Sequence, residues 1–311
     1  MSFETRAFRH SPLDPGAASS ENLESLEQID IESNGVRLHT VLAGPGEGTP
    51  LILLHGFPEF WYGWRHQIGP LAQAGYRVIV PDQRGYNLSD KPAEVREYRG
   101  EALVADLFGL MQALDVQRAS LIGHDWGAAV AWWAATAHAE RIERLVILNV
   151  PHPKVMARAL RTSWRQRLRS WYIAFFQLPR LPELLLGAAG FAGMVATMRR
   201  SGRSGTFSAA ELNTYRQAWG QPGALTAMLN WYRAAARYRP RISLQGKIQV
   251  PTLMIWGARD IAMGLGLARA SLEWCEHGQL VVLEEATHWV QHDAADEVNR
   301  LLLGFLSEGN P

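Results

Sequence analysis

The chain has 311 residues, of which 47% are hydrophobic and 20% charged, with a formal net charge of +1. These values suit a globular protein with one large core plus an insertion, and they exclude collagenous, low-complexity and highly charged disordered chains. No apolar run of membrane-spanning length is expected, and residues 1–28 are polar, unlike a secretory signal. The single Cys275 excludes an intramolecular disulfide and fits a reducing, cytoplasmic setting. No Cys/His cluster has metal-ligand spacing and no Gly-rich phosphate loop appears, so neither metal nor cofactor is indicated.

The charge is unevenly spread. Residues 151–250 hold sixteen Lys/Arg and only two acids, Glu183 and Glu211, which leaves fifteen basic and twenty-eight acidic residues elsewhere. A composition break of this size marks a separate structural unit. The chain therefore divides into an N-terminal arm (1–28), a core (29–150 and 251–311) and a helical insertion (151–250).

In chain order, Ile29–Ile31 and Val36–Leu42 read as a hairpin turned at Ser33-Asn34-Gly35. Leu51–Leu54 is a buried strand ending in His55-Gly56-Phe57-Pro58. Residues 60–74 have helical spacing, and Arg77–Val80 is the next strand. Gly100–Leu114 is a helix with Leu103, Leu107, Leu110 and Leu114 on one face. Further strands are expected at 119–122, 145–148, 252–256 and 280–283, with helical segments between them. That alternation implies a parallel sheet with helices on both faces and a site at the carboxyl ends of the strands. His55, Asp125, Asp260 and His288 all follow strand ends.

The decisive stretch is Leu121-Ile122-Gly123-His124-Asp125-Trp126-Gly127, between the strand at 119–122 and an Ala/Trp-rich helix at 128–137. Glycines two residues either side of Asp125 permit the sharp strand–turn–helix of a nucleophile elbow. Its usual serine is replaced by a carboxylate, which can displace a leaving group from saturated carbon and leave an alkyl ester on the enzyme. The same pattern alone fits an Asp that merely caps a helix. Partner residues decide between the two. In this architecture the acid and then a histidine follow the nucleophile along the chain. His288 is the downstream histidine in a loop just after a strand, whereas His292 reads as an ordinary surface residue on the next helix. Asp260 follows the strand at 252–256. The alternative position after 145–148 offers Asn149, which cannot ionise.

In the insertion, Leu160, Trp164, Leu168, Trp171 and Phe175 share one helical face, and Arg158, Arg161, Arg165 and Arg169 another. The plain reading is a packed face and a solvated basic face; the spacing also permits a helix lying on a membrane surface. The acidic remainder of the chain argues against a nucleic-acid partner. Trp164, Trp171, Phe175, Phe176 and Trp219 suggest an apolar pocket. The chain fits a monomer or a homodimer.

The HGFP and GHDWG motifs, Asn149-Val150-Pro151-His152-Pro153, the WG-x-x-D segment ending at Asp260 and His288-Trp289 together resemble the epoxide hydrolases of the α/β-hydrolase superfamily. The resemblance runs from about Ile29 to the C-terminus. It implies an α/β-hydrolase fold, a mostly parallel eight-stranded sheet with an inserted helical cap. It implies that the Phe57 and Trp126 N–H groups form an oxyanion hole, with Pro58 cis and Phe57, Pro58, Trp126, Tyr172 and Tyr232 lining the substrate site. It also implies that Tyr172 and Tyr232 donate to the epoxide oxygen. Chemistry alone requires a proton donor opposite the nucleophile, yet it does not choose among eight tyrosines. The substrates implied are a small-molecule epoxide and water, giving a vicinal diol. The rivals are a haloalkane dehalogenase, against which Phe57 and the paired tyrosines speak, and a non-catalytic ligand-binding protein.

Overall fold

The computed structural model describes residues 26–308, so almost all of the expected N-terminal arm lies outside the described residues. Strands β1 (Glu27–Ser33) and β2 (Val36–Ala43) form an antiparallel hairpin. Its turn residues, Asn34 and Gly35, both take positive φ (50° and 75°), as a two-residue turn that matches the strand twist requires. Next come β3 (Thr49–Leu54), a 3-10 turn at Trp61–Trp64, α1 (Arg65–Gln73), β4 (Tyr76–Pro81) and α2 (Gly100–Ala113). Then follow β5 (Ala119–His124), α3 (Trp126–Ala137) and β6 (Ile142–Leu148).

The insertion that leaves β6 is helical: α4 (Pro153–Thr162), α5 (Trp164–Arg169), α6 (Trp171–Phe175), α7 (Leu181–Ser201), α8 (Ala209–Trp219) and α9 (Ala224–Arg237). The chain returns through β7 (Thr252–Gly257), α10 (Leu265–Leu272), β8 (Gly278–Leu283), α11 (Val290–Asp293) and α12 (Ala295–Ser307).

One eight-stranded sheet results, in the order β1-β2-β4-β3-β5-β6-β7-β8. β2 runs antiparallel to both neighbours, and every pair from β4 to β8 is parallel. All residues of β5 and β7 are buried. Strands covered on both faces read as continuous apolar runs, which is why the sequence announced them. Around the sheet, α1 packs on α12 and α2 on α3.

Two features of the insertion differ from expectation. The single amphipathic helix expected over 160–175 is three short ones. Ser163, extended at φ −111° and ψ 111°, caps α5 by accepting the Gln166 N–H at 3.2 Å, and a second break falls at Ser170. The face expected to pack is also largely open, with Trp164, Leu168 and Trp171 61%, 63% and 63% exposed. Leu181–Ser201 is long and apolar enough to cross a membrane by length and composition. However, Ala188 is extended (ψ 146°) and Ala189, Gly190 and Phe191 take positive φ, so the segment is two shorter helices meeting at a kink.

The elbow depends on close backbone approach. A Cβ at Gly127 would collide with Leu54 O and His55 O at the end of β3, and one at Gly123 would meet Ala128 N and Gly127 O at 2.7 Å. These atoms belong to the sheet and the helix start, and neither can retreat. Gly127→Ala should therefore cost about 2 kcal/mol or more of stability, or yield no soluble protein. A urea unfolding midpoint equal to the parent's would show that the elbow is slack.

Candidate active site

Asp125 sits between β5 and α3 with φ 49° and ψ −123°, a conformation that aims its side chain out of the sheet edge. Left-handed backbone at a non-glycine residue is strained and persists only where its surroundings enforce it. Here the glycine contacts just described enforce it. Asp125 Oδ1 accepts the Phe57 N–H at 2.7 Å. A Cβ at Gly56 would collide with that carboxylate and come within 2.5 Å of Trp126 N, so residue 56 must lack a side chain for this oxygen to be cradled. The Phe57-Pro58 peptide is cis, as the resemblance implied.

The other oxygen faces a histidine. Asp125 Oδ2 lies 3.6 Å from His288 Nε2, and His288 Nδ1 lies 2.8 Å from Asp260 Oδ2. Asp260 is buried and fully engaged. Asn149 Nδ2 donates to Oδ2 at 2.8 Å, and the Ala262 and Met263 N–H groups donate to Oδ1 at 2.7 and 2.8 Å. Asn149, unable to ionise, therefore serves by orienting the acid that does.

Burial opposes charge on all three groups, and mutual attraction overcomes it. Burial pushes the Asp260 carboxyl up, but the charge and hydrogen bond of His288, with Asn149, bring it below its usual value. Asp125 is likewise lowered, against burial, by His288, His124 and the Phe57 N–H. Burial alone would depress His288; the two carboxylates raise it to about 10.

Across a cavity of about 440 Å³ stand the insertion's aromatics. Phe57, Pro58, Asp125 and His288 line it with Tyr172, Phe175, Phe176 and Tyr232. Tyr172 comes from α6 and Tyr232 from α9, their rings 5.9 Å apart and perpendicular. Both phenols are raised from their ordinary value, first by burial and then by the Asp125 charge, so they stay protonated at neutral pH. Gln177 ties the two helices, donating from Nε2 to Ile173 O and Tyr232 O at 3.1 and 3.2 Å. Arg233 braces the same wall, bonding Phe176 O and Leu178 O and pairing with Glu183 at 2.7 Å.

Four of the five residues singled out as catalytic, Asp125, Tyr172, Tyr232 and His288, line one cavity; the fifth, Asp260, is buried behind His288, and Trp126 packs its ring 5.0 Å from Tyr232. Of the aromatics expected to shape the pocket, Trp171, Phe175 and Phe176 line it. Trp219 is buried elsewhere, donating to Pro58 O at 2.5 Å, and Trp164 faces outward.

Sequence reasoning missed a second buried cluster beneath the first. Glu59 Oε1 accepts from Tyr215 Oη at 2.7 Å and pairs with His292 Nε2 at 2.7 Å. Its Oε2 faces His124 Nδ1 at 3.2 Å and accepts from Gln291 Nε2 at 3.0 Å. His124 Nε2 in turn donates to His288 O at 2.9 Å. His292 is therefore buried, not the surface residue expected. Glu59 lies well below the carboxylate range, the two histidines outweighing its burial. The one available signal was a Glu directly after the Pro58 turn, within an otherwise apolar run.

Known proteins bear on this arrangement. The alpha/beta hydrolase fold family matches residues 49–295. The AB hydrolase superfamily protein YfhM of Bacillus subtilis (strain 168) is 45% identical over 279 residues, covering 89% of this chain and 96% of that protein. Epoxide hydrolase 4 of Mus musculus is 36% identical over 310 residues, covering 97% of this chain and 85% of its own. The crystal structure of Bacillus megaterium epoxide hydrolase in complex with an inhibitor superposes with a TM-score of 0.82 at 30% identity, over 90% of this chain and all of that one. The chain belongs to the α/β-hydrolase fold family, among its epoxide hydrolases.

Proposed function

We propose that the protein opens an epoxide to a vicinal diol in two steps through an alkyl ester on Asp125. The observation that carries this reading is a carboxylate with one oxygen cradled by a backbone N–H and the other turned toward His288, facing two protonated phenols across an apolar cavity. In the first step Asp125 Oδ2 attacks an epoxide carbon. The ring C–O bond breaks, and Tyr172 and Tyr232 donate to the oxygen that leaves as alkoxide. In the second step His288, oriented by Asp260, takes a proton from water, and the hydroxide adds to Cγ of Asp125. Charge developing on Oδ1 meets the Phe57 and Trp126 N–H groups. As it collapses, the Cγ–Oδ2 bond breaks and Oδ2 leaves as the diol's second hydroxyl, with the proton returned by His288. The oxygen from water remains in the Asp125 carboxylate.

The coupling of the three charges fits this order. Before reaction both carboxylates hold the proton on His288. Esterification removes the Asp125 charge and hydrogen bond, leaving Asp260 alone to hold it. With that hold weakened the imidazolium releases its proton to solvent, and the neutral imidazole is a base at the stage that needs one. Dehalogenation would require Trp126 Nε1 to hold the halide, yet this indole stands against Tyr232, its ring 5.0 Å away, and hydrogen-bonds that phenol. The two phenols on the opposite wall have no task in that reaction.

A turnover assay with aryl and aliphatic epoxides beside 1-haloalkanes should give diol and no halide. Tyr172→Phe and Tyr232→Phe should each lower kcat, and the pair together by about 10²–10⁴-fold. Halide without diol would overturn the reading. His288→Gln should accumulate protein heavier by the mass of one epoxide in intact-mass spectra, and absence of the adduct would remove the ester from the scheme.

The same charges predict a pH dependence of stability. The proton on His288, held to about 10 in the fold against 6.5 in the unfolded chain, stabilises fully below pH 6.5. This contribution is lost as pH rises through about 10. Between pH 6.5 and 10 the parent's Tm should fall by about 3 °C or more beyond that of His288→Gln. Parallel curves would show that His288 is neutral in the resting protein.

A further inference from the structure

The cavity opens through an apolar surface. Leu168, Trp171 and Ile261 line it and are nonetheless 63%, 63% and 64% exposed, so they form its mouth. One turn before Leu168 on α5, at i, i+4 spacing, lies Trp164, 61% exposed. Large apolar side chains this open, clustered and bordering a ligand site mark a surface that is covered in use.

The charges around them indicate what covers it. Arg158, Arg161, Arg165, Arg167, Arg169 and Arg180 are all exposed on this segment. Among the described residues, none of the six has a carboxylate within ion-pair distance. The Arg165 guanidinium rests 5.6 Å from the Trp164 ring centroid, beside the apolar surface it flanks. Indole and leucine side chains interleaved with unpaired guanidiniums are the composition of segments that lie in the headgroup layer of an anionic bilayer. A second copy seated on the same face would bring two such arginine sets together and stopper the cavity. A fluid bilayer would do neither.

We infer that this face of the insertion, from Arg158 to Arg180 with Ile261, docks on an anionic lipid surface and takes apolar substrate from the bilayer directly into the cavity. The docking stands on the surface alone; only the identity of the substrate rests on the epoxide reading. Trp164 and Trp171 would sit at headgroup depth, the arginines against lipid phosphates, and the mouth would open onto acyl chains, where an apolar epoxide is concentrated.

Co-sedimentation with phosphatidylcholine vesicles, with and without about a third of phosphatidylglycerol, tests the docking. The parent should partition about tenfold or more in favour of the anionic vesicles, and added salt should weaken that preference. Arg161→Glu/Trp164→Glu, which changes no cavity residue, should abolish the preference while keeping the parent's Tm. Should that variant not fold, Trp164→Ser must still weaken binding. Asp125→Asn, unable to form the ester, should bind as the parent does, so loss of the epoxide reading would leave this result unchanged. For delivery, a long-chain epoxide dissolved in anionic vesicles should be hydrolysed several-fold faster by the parent than by the double variant, with equal rates on a small water-soluble epoxide. Equal partition to neutral and anionic vesicles would overturn the inference. So would vesicle binding indifferent to the variants, or a concentration-dependent dimer that the double variant abolishes.

Discussion

An imidazole held between two carboxylates in a largely buried setting is the interaction on which this molecule turns. His288 stands 2.8 Å from Asp260 and 3.6 Å from Asp125. Burying such a group is unfavourable unless every lone pair and proton finds a partner. The fold supplies those partners from separate sheet positions: Asn149 after β6, the Ala262 and Met263 amides after β7, and the Phe57 amide after β3. A parallel sheet delivers them together because all its carboxyl ends lie along one edge. The elbow's strained backbone is the local cost of bringing Asp125 to that edge, and the glycines at 56, 123 and 127 make room for it.

A second acid–histidine cluster supports the first from below. Glu59 is engaged by Tyr215, His292, Gln291 and His124, and His124 holds the main chain of His288. The rings of His124 and His288 lie 4.7 Å apart. Three loops that carry reacting or cradling groups are thereby stitched into one body: the turn after β3, the elbow, and the loop after β8. His288 is fixed at its side chain by Asp260 and at its backbone by His124. A histidine fixed at both ends loses little orientational freedom when its charge changes.

Much of this was legible in the sequence, and the parts that were not share a cause. Buried parallel strands leave apolar runs, and an elbow leaves glycines at fixed spacing, so the sheet, Asp125, Asp260 and His288 could be read from local pattern. Glu59 and His292 are separated by 233 positions, and no local pattern reports such a contact. His292 was misjudged because a histidine on an amphipathic helix has the same spacing whether it faces water or a buried carboxylate. Tyr172 and Tyr232 were identified through resemblance alone, since an aromatic in a helix is ordinarily packing. The outward face of Trp164 and Trp171 escaped notice because helical periodicity assumes one continuous helix; breaks at Ser163 and Ser170 reset it, and periodicity cannot say which side meets the core.

The two walls of the cavity differ in how they manage charge, and the proposed reaction uses that difference. On the sheet side, carboxylates and imidazole lie close enough that a change in one alters the proton affinity of the next. On the insertion side, the phenols are held well up by burial and by the Asp125 charge. A phenol so raised is a poor acid toward water yet well matched to an alkoxide, which is more basic still. On the proposed path the Asp125 charge that raises the tyrosines would disappear on esterification, as the alkoxide forms opposite them. The phenols thus become better donors as the oxygen becomes a better acceptor. In the proposed reaction one neutralisation event at Asp125 would therefore adjust both walls, freeing His288 to act as base and strengthening the tyrosines as donors.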